Sequence, residues 1–560
     1  VKGFLPMLLL LLLVHAVNAL DSDSIYHNNR DIFYVNPQGG EIKLRVAKNS
    51  VEKAFLVSGY SRIQINIGYR DEHYDYYSAN LIPFDSTFSY SFLVMSNLDS
   101  LLLPAEGAFH AMAPAFDIPD WAAGKIYYLI NPDGFYNGDI LNDPVEKNEW
   151  DKEPKDWLSY GGDLKGITRK MDYLLSLDPD IILLTPIFTA ASNHKLNTRD
   201  YATIEPAYGD TNDLKLLIET IHTRGKKIIL SVVFTHTGED FSAFNDIATN
   251  SHASRYANWY QIKSMPTDSA GFRYTSWRSD PRFPMLNLKN RQLQDYLVSV
   301  IDYWVPFGFD GFYIGEHEEI DTDFMQKLYG QFKSKYPELL IISNDCRLQA
   351  TQVFDCCFSR KFTRTMIEYF VTNTISTAAF DSIIHEMLFF RPAQMNCANL
   401  FGFHDYNKRI GSVASADILK IMYTFVFTFC GSPILLYGDE IGMTECAPLN
   451  WGSFNWDVEP QNKELWRTVR NLIRIRKENL QIKDRHFFTL YIDDIKKVYA
   501  YDRGGLIVIL NCGTSQSFVE LPTWDGTYVD LANGTKYTAF SQKLKLSVDA
   551  VSYRILKREV

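Results

Sequence analysis

Eight short apolar runs set the architecture open to this chain: residues 126–130, 181–184, 228–234, 311–314, 340–343, 354–358, 399–402 and 434–438. Each has the length and composition of a fully buried strand, and most segments between them are long enough for a crossover helix. Eight strands in that alternation, with a long insertion after the third at about residues 237–290, predict a parallel (β/α)8 TIM barrel. In such a barrel the site forms at the carboxyl ends of the strands, so the residues closing each run are the ones that carry chemistry.

The flanks read differently. Residues 20–118 hold short alternating segments at 42–46, 54–58, 63–67 and 88–94, broken by Gly, Pro, Asp and Asn, which is the pattern of a β-sandwich. After a helical stretch at 466–478, alternation returns at 497–501, 506–510 and 543–547, so 484–560 reads as a C-terminal β-domain and the barrel occupies 119–483. Residues 1–19 carry Lys2, an apolar run over 8–14 and Val17-Asn18-Ala19, the three parts of a secretory signal peptide. The expectation is cleavage after Ala19 and a secreted protein. The apolar run is shorter than the roughly 20 residues of a spanning helix, so no membrane span is expected after cleavage.

Composition narrows the partners. A net charge of -11, with no contiguous run of Lys and Arg, disfavours a phosphate-binding surface, so no nucleic-acid partner is expected. The seven cysteines, Cys346, Cys356, Cys357, Cys397, Cys430, Cys446 and Cys512, match no metal-ligand spacing. In an oxidising compartment they imply one or two disulfides and at least one unpaired thiol, with the connectivity open. A sequon at Asn533 is compatible with secretion.

Motifs along the barrel then carry a resemblance. They are Pro132-Asp133-Gly134-Phe135-Tyr136-Asn137-Gly138-Asp139, Gly161-Gly162-Asp163-Leu164-Lys165-Gly166, Leu184-Thr185-Pro186-Ile187-Phe188 and Ser192-Asn193-His194-Lys195. Asp200-Tyr201, Phe234-Thr235-His236-Thr237-Gly238, Gly308-Phe309-Asp310-Gly311-Phe312, Phe403-His404-Asp405 and Tyr437-Gly438-Asp439-Glu440-Ile441-Gly442-Met443 follow in order. The whole resembles the neopullulanase and cyclomaltodextrinase subgroup of glycoside hydrolase family 13, the α-amylase family. That resemblance implies a barrel between two β-domains, an α-glucan or maltooligosaccharide ligand, and a homodimer formed through the N-terminal domain.

Retaining glycosidases need a carboxylate nucleophile and a carboxylic acid about 5–5.5 Å apart. The resemblance places the nucleophile at the end of the fourth strand in a Gly-Trp-Arg-Leu-Asp pattern, where this chain has Gly311-Phe312-Tyr313-Ile314-Gly315. It places the acid in an Ile-x-Gly-Glu pattern, where this chain has Ile341-Ile342-Ser343-Asn344, and an amide cannot deliver a proton as a carboxylic acid does. The third family carboxylate is retained as Asp405 beside His404, with Arg409 following, while the third strand keeps only His236 of its Asp-x-x-x-Asn-His pattern. The substrate-binding set implied is therefore His236, His404, Asp405, Arg409 and Tyr201. Glu316 and Asp345, one position past the lost groups, point to the opposite face if the strands continue, and Glu318 and Glu319 sit on the following loop.

The expectation is a catalytically inactive, secreted pseudoenzyme that binds an α-glucan or a protein partner. An active α-glucan hydrolase with relocated catalytic groups is the alternative, and a structural or assembly ectodomain is a third reading. A mouth filled by Tyr313 and Phe403 favours a scaffold, and an open one favours sugar binding. The resemblance also implies a structural Ca²⁺ site at Asn137, Asp139, Asn142, Asp143, the carbonyl of Gly161 and Asp163, an oxygen donor set suited to that ion. The competing reading of this segment is a turn rich in Asn, Asp and Gly.

Overall fold

The computed structural model describes the chain outside residues 1–19, 21–23, 29–33, 37–39, 82–87, 98, 112–117, 156, 316–320, 345, 347–353, 391–399, 403–407, 458, 460, 485 and 560. It divides into two compact units, one ending at Ala115 and the other running from Phe116 to the end. In the first unit, alternation drives an antiparallel sheet. Ile42, Leu44 and Val46 of Glu41–Ala47 turn to one face, and so do Ala54 and Leu56 of Lys53–Ser58 and Phe92 and Val94 of Phe88–Met95. Together they form the core of that unit.

The second unit contains the barrel. Its strands are β1 Tyr127–Ile130, β2 Ile181–Leu184, β3 Lys227–Val233, β4 Gly311–Gly315, β5 Leu340–Ser343, β6 Cys356–Cys357, β7 Leu400–Gly402 and β8 Ser432–Leu436. All neighbours run parallel, in the order β6-β5-β4-β3-β2-β1-β8-β7. A parallel bridge between Phe358 and Leu400 closes the ring, with the Ser359 amide donating to the Leu400 carbonyl at 3.0 Å. Continuous burial of these short Ile- and Leu-rich strands is what a sheet covered on both faces requires. The sixth and seventh strands are shorter than the apolar runs at 354–358 and 399–402.

The crossover helices begin where the sequence supplies caps. Asp210 and Asp213 form a reciprocal capping box at the start of Thr211–Thr223, and Asn462 caps Lys463–Glu478. Behind β6, Lys333 and Asp355 form an ion pair at 3.0 Å with both side chains fully buried. Tyr329 and the Ile341 amide satisfy the rest of the Asp355 carboxylate at 2.8 Å each. A disulfide joins Cys346, just past β5, to Cys357 of β6 and so ties two adjacent strand ends together.

The insertion after β3 folds into a helix, Ser242–Asn250, a small hairpin of Ile262–Ser264 with Arg273–Tyr274, and a tight turn at Trp277–Ser279. The C-terminal β-domain has eight antiparallel strands between Phe488 and Arg558, where sequence alternation marked three. It is locked to the barrel by buried arginine. Arg503 donates to the carbonyls of Thr428 at 2.9 Å and Ile482 at 2.7 Å, and the Thr428 and Tyr501 hydroxyls meet at 2.6 Å. Among the described residues no helix is long and apolar enough to cross a membrane.

Candidate active site at the carboxyl ends of the strands

Strand register decides which side chains can meet. Ile314 of β4 pairs with Ser343 of β5, and the Asn344 amide continues the ladder to the Ile314 carbonyl at 3.3 Å. Gly315 and Asn344 therefore occupy the next rung, on backbones about 4.8 Å apart. A pair of carboxylates on these two positions would have the close spacing that retaining chemistry uses.

Neither position can act as a carboxylate, and the space beside them is occupied. A Cβ on Gly315 would lie 3.3 and 3.6 Å from two ring carbons of Tyr313 and 3.9 Å from the Val232 carbonyl. The Tyr313 ring, 7% exposed, thus covers the place where a side chain at 315 would start. Asn344 is 1% exposed, and among the described residues neither of its amide atoms has a hydrogen-bond partner.

At the end of β3, His236 is fully buried beneath the insertion. Trp277 stacks on it with ring centres 4.8 Å apart, Phe283 meets it edge-on at 5.3 Å, and the Arg278 guanidinium lies over the Trp277 ring, 4.2 Å from its centre. Burial holds the imidazole neutral, with its pKa down at about 3. Leu196, Val233, Trp277 and Phe283 form one apolar cluster, bordered by Trp157, Met285 and Leu449. His194 lies against the same cover, its Nδ1 accepting from the Leu196 amide at 3.1 Å and its ring stacked on Phe283. The backbone that carries Trp277 is strained, because Arg278 and Ser279 both sit at positive φ, 51° and 60°.

Two expected sugar contacts are core residues. Tyr201 is 1% exposed, packed against Phe188, Phe234 and Phe241, and its hydroxyl donates to the Val233 carbonyl, so its ring has no open face for a sugar. Its apolar neighbours lie on other strands and loops, which is why its role could not be read from Asp200-Tyr201 alone. Arg409, fully buried, donates to the carbonyls of Trp451 and Tyr437 at 2.8 Å each and to Asp439 at 2.9 Å, which makes it a clamp on the end of β8. Burial raises the Asp439 carboxyl to about 7 despite this partner. Glu440 accepts from Tyr128 at 2.7 Å and Tyr173 at 2.5 Å, bracing the same rim. His404, Asp405, Phe403, Glu316, Glu318, Glu319 and Asp345 lie outside the described residues.

The two ends of the connection between β1 and the helix Leu164–Arg169 meet through Asp133, which accepts from the amides of Tyr160 at 2.9 Å and Gly161 at 3.2 Å. This brings Gly161, at φ +84°, against Asp143 and Asn137, and the Asn137 amide donates to Asp143 at 2.6 Å. The side-chain oxygens of Asn137 and Asn142 are buried with no partner among the described residues. Asp139 instead pairs with Lys165 at 2.7 Å, and Asp143 with Lys147. Asp163 turns to cap Leu164–Arg169, accepting from the amides of Gly166, Gly138 and Asp139. Among the described residues no three His, Cys, Asp or Glu side chains converge as a metal cage.

A cyclomaltodextrinase of Thermoanaerobacter pseudethanolicus is 32% identical over 553 residues, covering 90% of this chain and 95% of that protein. The chain belongs to the α-amylase family, in its cyclomaltodextrinase and neopullulanase branch. Residues 129–339 match the α-amylase catalytic domain, and residues 20–119 match the α-amylase N-terminal Ig-like domain. Neopullulanase 2 of Thermoactinomyces vulgaris is 30% identical over 512 residues, covering 85% of this chain and 87% of that protein. Among solved structures, a cyclomaltodextrinase superposes with a TM-score of 0.85 at 23% identity, covering 96% of this chain and all of the other, and so shares the fold. Within this family fold, the residues that sequence reasoning missed are Trp277, Arg278 and Phe283. They come from an insertion that carries no motif, and only its aromatic content hinted at them.

Proposed function

We propose that this protein is a secreted, non-hydrolytic member of the α-amylase family that uses the scaffold to bind an α-glucan. The observation that carries the reading is the shared rung of Gly315 and Asn344, which holds no carboxylate and is overlaid by the Tyr313 ring. Loss of a general acid alone typically costs 10²- to 10⁴-fold, and without a nucleophile the covalent route is closed. The α-glucan follows from the relatives, which are named as cyclomaltodextrinases and a neopullulanase. Secretion follows from the signal-like residues 1–19.

A protein-binding scaffold is the second reading, favoured by the buried Tyr313 ring beside Gly315 and by the cover of Trp277 and Phe283 over His236. One experiment separates the readings: the purified mature protein is incubated with pullulan, cyclodextrin and maltohexaose while reducing ends and binding heat are followed. Binding without turnover supports the proposal, turnover overturns it, and neither binding nor turnover transfers the case to the scaffold.

Structural Ca²⁺ belongs to the same proposal. Asn137, Asn142, Asp143 and the Gly161 carbonyl would hold it, supported by the two buried amide oxygens without partners. The ion would tie together the two ends of the long connection between β1 and the helix Leu164–Arg169 and supply no chemistry. Removal with EDTA should lower the melting temperature, and excess Ca²⁺ should restore it. A homodimer through the N-terminal domain is also proposed, to be tested by sedimentation.

A further inference from the structure

The helix Lys463–Glu478 carries Lys463, Arg467, Arg470, Arg474 and Lys477, at alternating steps of four and three residues. At 3.6 residues per turn this spacing puts all five cations in one stripe, about 21 Å long at 1.5 Å per residue. The stripe escapes a search for runs of Lys and Arg because its members are not contiguous. Folding, not composition, gathers them, in a protein whose net charge is -11.

Four of the five line a groove of about 700 Å³ on the outer helical layer, facing the segment from Leu175 to Asp178. Lys477 is held by Asp178 at 2.7 Å and Asp180 at 3.2 Å, and Arg474 by Glu478 at 2.5 Å. Arg467 and Arg470 are exposed, and neither has a carboxylate partner among the described residues. The half-buried ring of Trp466 also lines the groove, with the Arg470 guanidinium 5.3 Å from its centre. The Lys477 end lies beside Asp178 and Asp180, at the amino end of β2, so the groove is remote from the carboxyl-end site.

We infer that this groove binds an acidic oligosaccharide, a sugar chain bearing sulfates or carboxylates. Guanidinium forks match the geometry of such anions. An indole face offers a flat apolar surface to a sugar ring, and the linear spacing of the cations suits an extended chain with repeated charges. The volume is within the range of small-ligand sites. A folded nucleic acid is disfavoured by the overall negative charge. The inference does not depend on whether the barrel mouth catalyses or binds α-glucan.

The test uses the full chain and isothermal calorimetry at low ionic strength. The probes are a heparin-derived hexasaccharide and an oligogalacturonide, with neutral maltohexaose as control. At least one acidic probe should bind, should weaken as salt rises, and should not be displaced by maltohexaose. The double variant R467Q/R470Q should weaken binding by about tenfold or more, equivalent to about 1.4 kcal/mol, with K536Q in the C-terminal domain unchanged. Both arginines are exposed, so the fold should persist by circular dichroism, and the single variants R467Q and R470Q should each give a smaller loss. Failure of both acidic probes to bind, or equal affinity in R467Q/R470Q, overturns the inference. So does binding to phosphatidylserine vesicles that needs Arg467 and Arg470 while neither acidic sugar binds, which would assign the stripe to a membrane surface.

Discussion

Gly315→Asp puts back the carboxylate type expected at the end of β4, and the structure says that this change alone should fail. The new Cβ would stand 3.3 Å from a Tyr313 ring carbon, inside the 3.5–4.0 Å of an optimal carbon contact. Accommodating it asks the ring to give by a few tenths of an ångström. Overpacking of this kind costs about 1–3 kcal/mol, and an Asp against a buried ring would have its pKa raised by desolvation, which weakens it as a nucleophile. Tyr313→Arg removes the ring and supplies a cation that favours the ionised form. The expected result in urea unfolding is therefore a loss of about 1–3 kcal/mol for G315D and a smaller loss for Y313R/G315D, with a coupling above about 0.5 kcal/mol. Release of reducing ends from maltohexaose should be absent in G315D and in Y313R/G315D. The measurable gain should come only when Asn344→Glu is added to give the acid on the neighbouring rung. If G315D is as stable as the parent and the two changes are additive, the Tyr313 ring does not crowd a side chain at the position expected for the nucleophile.

Three further outcomes follow from buried polar groups. The folded-state pKa of His236, about 3, lies below its unfolded value near 6.5, so the unfolded chain binds the extra proton. Stability is then fully present above pH 6.5 and falls by up to about 4 kcal/mol towards pH 3, and H236F should flatten that slope in urea midpoints. Lys333→Met leaves Asp355 buried without its cation and should cost about 3–5 kcal/mol near pH 7. The cost should shrink near pH 5, because burial already lifts the Asp355 carboxyl to about 6 and protonation removes the stranded charge, as a pH series of unfolding curves would show. Asn344→Leu should stabilise by about 1 kcal/mol, since it replaces an amide that has no partner among the described residues with a side chain of similar size; a clear loss of stability would reveal a partner for that amide.

The barrel was legible in the sequence because its signal is local: short apolar runs, spaced for helices, define parallel strands buried on both faces. The residues closing β4 and β5 were legible for the same reason, so Gly315 and Asn344 could be named before any contact was known. What each side chain touches was a different matter. Tyr201 and Arg409 carry no local mark that separates a sugar contact from a core clamp, and Trp277 reaches His236 only because a long insertion folds back over β3.

The amino-acid order by itself determined the fold class, the family and the residue types at positions 315 and 344, all of which rest on residue identity and on periods of two and 3.6. Tertiary structure alone decided that Gly315 and Asn344 share a rung beside the Tyr313 ring and that Cys346 pairs with Cys357. It also decided that a strained turn holds Trp277 over a neutral histidine, and that the cations of one helix face a groove. Those outcomes depend on strand register and on the packing of segments far apart in the chain. Close packing makes such contacts specific without leaving a pattern in neighbouring residues.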